Sequence, residues 1–233
     1  MPKEFDFEQY WLNKFSNCLY ERVGKVIKEG VMKGSESFSD FTSKEEIISW
    51  SQKAIETLES LVDEEKRIDV MTRCSCQYPK QDLQDIRKQY EETKDIDLAH
   101  KMLQEKFESF LKDTLELNDE YFDFVVNRGW GLAGIKQDKK IIATKIPKSE
   151  SFIEYMKESD PEKKKGFYCH CPRVRDALKT PKVRLSPTYC YCGAGFYKAI
   201  WEEILQKPVR VEVLDTVLNG GELCKIEITL PED

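Results

Sequence analysis

The stretch PVRVEVLDTVLNGGELCKIEITL, residues Pro208–Leu230, decides the fold class. Pro208–Leu218 and Glu222–Leu230 alternate apolar and polar residues, the period of a half-buried strand. Asn219-Gly220-Gly221 joins them with residues that tolerate positive φ, so the segment predicts an antiparallel hairpin. Cys224, Ile226, Ile228 and Leu230 share its inner face. Upstream, Leu132–Ile135 and Lys140–Ile146 predict two further strands around a Gln137-Asp138-Lys139 turn. A helix over about Glu150–Glu158 is followed by a loop containing Lys163-Lys164-Lys165, a solvated charge run. A last helix runs from about Cys192 to Leu205.

The first half has a different period. From Phe5 to Val31, apolar residues recur at three- and four-residue steps, among them Trp11, Phe15, Cys18, Leu19 and Val23. That spacing predicts one long helix. Thr42 with Glu45 has capping-box spacing and opens a helix that runs through Ile48, Trp50, Ile55, Leu58 and Val62 to the first cysteine pair. More helix follows Pro79, through Leu83, Tyr90, Met102 and Phe107 to Leu115, and a short one spans Glu120–Asn127. The reading is an α+β protein: a helical region, residues 1–128, packed on an antiparallel-sheet unit with covering helices, residues 129–233.

Of 233 residues, eight are cysteine, and six of these form three Cys-x-Cys pairs: Cys74/Cys76, Cys169/Cys171 and Cys190/Cys192. Soft thiolates gathered in this way suit zinc or an iron–sulfur cluster, or exchange electrons as a dithiol. Zinc is the expected metal, with the iron–sulfur cluster as its alternative. Residues i and i+2 diverge around a helix, so a chelating pair belongs at a turn or a helix end. Pro172 marks a helix start after Cys171. Cys190 and Cys192 precede Gly193-Ala194-Gly195, where glycine admits a close backbone or ligand. A helix start also favours a thiolate through its free N–H groups, whereas Cys74/Cys76, at a helix end, has a poorer setting for a low pKa. Cys169, Cys171, Cys190 and Cys192 are the first metal candidates, with Cys74 and Cys76 as alternates. Cys18 and Cys224 fall on apolar faces and read as core thiols.

Of the two histidines, His170 lies inside a cysteine pair and is a candidate ligand or proton acceptor, or an exposed loop residue. His100 reads as a surface or packing residue. Tyr189, Phe196 and Tyr197 crowd the last helix, either as core or as the wall of an apolar pocket. Arg173 and Arg175 are open between a ligand carboxylate and water. A second reading makes the chain a cysteine-dependent hydrolase or thiol oxidoreductase, with Cys190 or Cys192 as nucleophile and His170 as base.

Residues Tyr189–Leu230, with Tyr-Cys-Tyr-Cys-Gly-Ala-Gly-Phe-Tyr, Pro208-Val209-Arg210-Val211-Glu212 and the Gly-Gly turn before Cys224, resemble the end of the 4-vinyl-reductase-type small-molecule-binding domain. They also resemble the related bacterial L-2-amino-thiazoline-4-carboxylate hydrolase-like proteins. That resemblance implies a pocket between helices and an antiparallel sheet, often in a homodimer, with Cys190 or Cys192 and Cys224 meeting at it. With the aromatics that could wall such a pocket, the candidate ligand positions are Tyr189, Phe196, Tyr197 and Cys224. Taken together, these readings predict a bacterial, sensor-like protein that binds a small molecule and carries a cysteine-thiolate metal site.

The net charge of −6 offers no basic face for nucleic acid or anionic lipid. The opening residues Met1–Glu8 are acidic and lack an apolar stretch, and no apolar window is long enough to span a bilayer. Both point to the cytoplasm, where thiols stay reduced and metal or catalytic uses outrank structural disulfides.

Overall fold

A computed structural model describes residues 7–38, 42–179 and 184–231. The helices are α1 (Phe7–Met32), α2 (Lys44–Leu61), α3 (Glu64–Arg73), α4 (Gln84–Thr93), α5 (Ile96–Ser109), α6 (Asp119–Val126), α7 (Phe152–Lys157), α8 (Pro161–Tyr168), α9 (Pro172–Leu178) and α10 (Tyr191–Leu205). The strands are β1 (Ile135–Gln137), β2 (Lys140–Thr144), β3 (Arg210–Asp215) and β4 (Lys225–Thr229). The protein is α+β, with the helices concentrated in the first half of the chain and the sheet in the second. No helix among the described residues is long and apolar enough to cross a membrane.

The chain forms two compact units that interleave along the sequence. One comprises residues through Cys76 together with Pro172–Gly195, and the other Gln77–Cys171 with Phe196 onward. Element type changes near residue 128, but the units follow spatial contact rather than element type.

In the first unit, α1 packs on α2 and α3, and α2 packs on α9. Trp11, Phe15 and Leu19 of α1 are buried, as are Ile48, Ile55 and Leu58 of α2. These are the three- and four-residue steps of the sequence pattern. Phe5 and Asp6, at the expected start of the first helix, lie outside the described residues. The helix is not continuous: Gly24 leaves helical geometry at φ 85°, a conformation that costs glycine little.

Thr42 does not form the expected capping box with Glu45; Ser43 forms it with Glu46. The Ser43 hydroxyl accepts from the Glu46 N–H (3.3 Å), and the Glu46 carboxylate accepts from the Ser43 N–H (2.9 Å). Both pairs have the required spacing, and the extended backbone at Ser43 (φ −68°, ψ 154°) selects the second. The helix expected to run on to the first cysteine pair breaks at Val62, which is extended. Asp63 then caps α3 by accepting from the Lys66 N–H at 2.9 Å. A carboxylate at an N-cap satisfies otherwise orphaned amides, so the two-helix solution wins over a longer run.

In the second unit the sheet order is β1-β2-β4-β3, all antiparallel. Ile141 pairs with Ile228 and Ala143 with Ile226, and these four side chains are buried, while Lys140 and Glu227 form an ion pair (2.7 Å). The hairpin between β3 and β4 closes through a short 3₁₀ turn, Val217–Asn219, and the Thr216 hydroxyl accepts from the Asn219 N–H (3.0 Å). The stretch around Lys163–Lys165 is helix α8, not the expected loop. Asp160 caps it and Pro161 occupies its first turn, a start signal that the charge run obscures. The helical run after Pro79 divides at Lys94, in the left-handed region (φ 56°), and Asp95 caps α5.

Candidate thiol site

Lys14, Cys18 and Arg22 stand at four-residue steps, so they line one face of α1. Their counterparts run in the opposite direction along α3 and its end. The Lys14 ammonium donates to the Ser75 carbonyl and the Arg22 guanidinium pairs with Asp69, and between them Cys18 faces the end of α3 that carries Cys74. These two rungs set the register of α1 against α3. Asp69 is held by a second cation, Arg73, at 2.9 Å, and its carboxyl lies below the usual range even though burial pushes the other way.

Cys74 caps the C-terminus of α3, where its N–H reaches the Val70 and Met71 carbonyls (3.3 and 3.2 Å). Its S–H donates to the Val70 carbonyl at 3.1 Å. The two thiols respond in opposite directions. Burial, then the Cys18 contact and charge, and then Cys192, push Cys74 well above the ordinary thiol value, so it keeps its proton. The hydrogen bond from Cys74 pulls Cys18 below that value, and Lys14 and Arg73 add to the effect against burial and the Glu21 carboxylate. A helix C-terminus also disfavours an anion at Cys74. The arrangement places a protonated thiol near a more acidic one that has a lysine one turn away.

Cys192 adjoins the pair through the backbone, its thiol meeting the Cys74 carbonyl at 3.6 Å. Gly195, one turn further along α10, explains the approach. A Cβ there would lie 1.9 Å from the Thr72 carbonyl oxygen, so only glycine lets the first turn of α10 rest on the end of α3. Cys190 ends the 3₁₀ turn Pro187–Cys190 and is partly exposed, and Cys76 is exposed. Tyr189 is buried and stacks on Trp11 (5.6 Å, 24°). The Trp11 ring also carries the Arg173 guanidinium at 4.1 Å, and Arg173, itself buried, pairs with Glu8.

The remaining candidates belong to the second unit. Cys169 is buried with its thiol 3.9 Å from the Cys171 carbonyl, and Cys171 immediately precedes α9. His170 is exposed, with Nε2 2.9 Å from the Ile146 carbonyl. Cys224 donates its N–H to the Tyr168 hydroxyl (2.9 Å), which in turn donates to the Lys145 carbonyl (2.7 Å). Burial pushes the Cys224 thiol up, and the Tyr168 and Tyr197 phenols likewise. Phe196 meets Tyr197 edge-on at 5.6 Å. His100 stacks on Trp201 and reaches the Gly134 carbonyl at 3.1 Å, a packing role.

Among the described residues no group of three or more His, Cys, Asp or Glu side chains is arranged to hold a metal ion. Cys18 and Lys14 are the site residues that sequence reasoning overlooked. Cys18 does sit on the apolar face, but a cation one turn to either side of a helical cysteine was the available signal.

A family model described as a family of unknown function (DUF6144) matches residues 133–233. That span includes Cys169, Cys171, Cys190, Cys192 and Cys224 but neither Cys18 nor Cys74. No curated protein and no solved structure matches the chain.

Proposed function

We propose that the chain works as a thiol oxidoreductase whose redox centre is the Cys18–Cys74 dithiol. The observation that carries this reading is the register of α1 on α3, fixed by Lys14 and Arg22, which brings Cys18 to the end of α3 where Cys74 sits. Two thiols in contact can close to a disulfide with loss of two electrons, and a lowered pKa supplies the thiolate that begins the exchange. The test is to oxidise the reduced full-length chain with diamide and map its disulfides by peptide mass spectrometry. A Cys18–Cys74 link, with loss of two of the eight free thiols, is the expected result. Eight thiols remaining, or links elsewhere with none between Cys18 and Cys74, would overturn the reading.

A zinc–thiolate site is the second reading, with an iron–sulfur cluster as its variant. Its support is that Cys74/Cys76 and Cys190/Cys192 share the first unit and that Cys192 touches Cys74. Metal content per chain, measured on protein purified under reducing conditions, separates the two readings. One zinc per chain, lost on Cys192→Ser, favours the metal site. A small-molecule ligand at Phe196, Tyr197 and Cys224 in the second unit, with homodimer formation, rests on the family resemblance and is a separate proposal.

A further inference from the structure

Within the dithiol reading, on which this step rests, we propose that Cys18 is the attacking thiol, Cys74 the resolving thiol, and a low-molecular-weight disulfide the substrate. The assignment of roles follows from position. Cys18 is the more exposed of the two and lies between Lys14 and Arg22 on α1, whereas Cys74 sits at a helix C-terminus with its proton donated to the Val70 carbonyl.

Substrate size follows from burial. Cys18 is 8% exposed and Cys74 1% exposed. Exchange needs the incoming disulfide nearly in line with the attacking sulfur. A folded protein's disulfide cannot approach a recessed sulfur that closely, but a small flexible disulfide can. The charged groups around Cys18 are Lys14, Arg22, Arg73, Glu21 and Asp69, three cations and two carboxylates. They leave a small positive excess that tolerates a carboxylate-bearing molecule.

The chemistry balances without a further reagent. The Cys18 thiolate attacks one sulfur of R–S–S–R, the S–S bond breaks, and R–S⁻ leaves and is protonated. Cys74 then gives up its proton and attacks the Cys18 sulfur of the mixed disulfide, releasing the second R–S⁻. The protein dithiol is oxidised to a disulfide and the substrate is reduced to two thiols, whose protons replace those lost by Cys18 and Cys74.

The experiment incubates reduced wild type, Cys18→Ser and Cys74→Ser with oxidised glutathione, then quenches with acid and maps each cysteine by peptide mass. Mapping by site sets aside adducts on exposed Cys76. Wild type should form the Cys18–Cys74 link, Cys74→Ser should trap a glutathione adduct on Cys18, and Cys18→Ser should carry none on Cys74. Wild type should also be oxidised at least about 10-fold faster by oxidised glutathione than by the disulfides of insulin at equal concentration. An adduct trapped on Cys74, or equal rates with insulin, would overturn this proposal. If diamide still links Cys18 to Cys74 in that case, the dithiol reading survives; if diamide also fails, both fall. Should a serine variant fail to fold by circular dichroism, millisecond acid quenching of wild type shows which cysteine carries the first adduct.

Discussion

Cys18 in the first unit and Cys224 in the second are both free thiols, one buried and one half-buried, yet their acidities move in opposite directions. Cys224 meets the ordinary fate of a buried acid. Its neighbours include Tyr168 and Tyr197, and desolvation outweighs the help of Lys145 and of a hydrogen bond from the Val217 backbone. At Cys18 the Cys74 thiol outweighs desolvation, and Lys14 and Arg73 add to its effect. Both thiols have a donor, and the balance of desolvation against donors and charges sets the direction.

The largest effect expected from disturbing this contrast is at Gly195. Gly195→Ala forces a Cβ into the Thr72 carbonyl, and backbone cannot yield as a flexible side chain would. We expect a loss of about 2–3 kcal/mol in denaturant melts, together with faster alkylation of Cys192 as it separates from the Cys74 carbonyl. An unchanged melt would mean that α10 and α3 do not touch there.

Tyr168→Phe probes the other side of the comparison. It removes the hydroxyl that links the Cys224 N–H to the Lys145 carbonyl, and should cost about 1–2 kcal/mol by leaving two buried backbone groups unpaired. Wild type should also weaken in alkali. Tyr168 and Tyr197 have folded pKa values raised above their unfolded ones, so their contribution is full below about pH 10 and is lost as pH climbs towards the folded values. Melts that stay constant from pH 9 to pH 11 would contradict this.

The contrast itself can be read by site-resolved alkylation across pH. The Cys18 rate should reach half its maximum below the usual thiol range near 8.5 and the Cys224 rate above it, with about a tenfold gap at neutral pH. Accessible surface ranks them the other way, since Cys224 is partly exposed as a residue although its sulfur is enclosed. Faster labelling of Cys224 would show that access rather than charge governs both. The smallest expected effect is that of Lys14→Met, which removes one of the three cations near Cys18 and should slow its labelling about 3-fold at pH 7. Labelling of Cys224 should not change.

Much of the fold is written locally. The alternation around Ile226 and Ile228, the helical face of Trp11, Phe15 and Leu19, and the proline start after Cys171 each depend on neighbours a few residues apart, and each is present. The failures are local as well, but arise from competing signals. Two overlapping pairs could cap α2, Asp63 divides one expected helix into two, and the lysine run hides the Asp160-Pro161 start of α8.

The sequence determined which segments could be helix or strand and that soft thiol donors were abundant, because period, caps and composition act over one or two turns. Tertiary structure alone decided which thiols meet. Cys18 and Cys74 are 56 residues apart and share no motif, and their contact depends on the register of α1 against α3 that Lys14 and Arg22 hold from either side. The acidity of a thiol depends on the donors and charges within a few ångströms of it, and that neighbourhood exists only once the chain has folded.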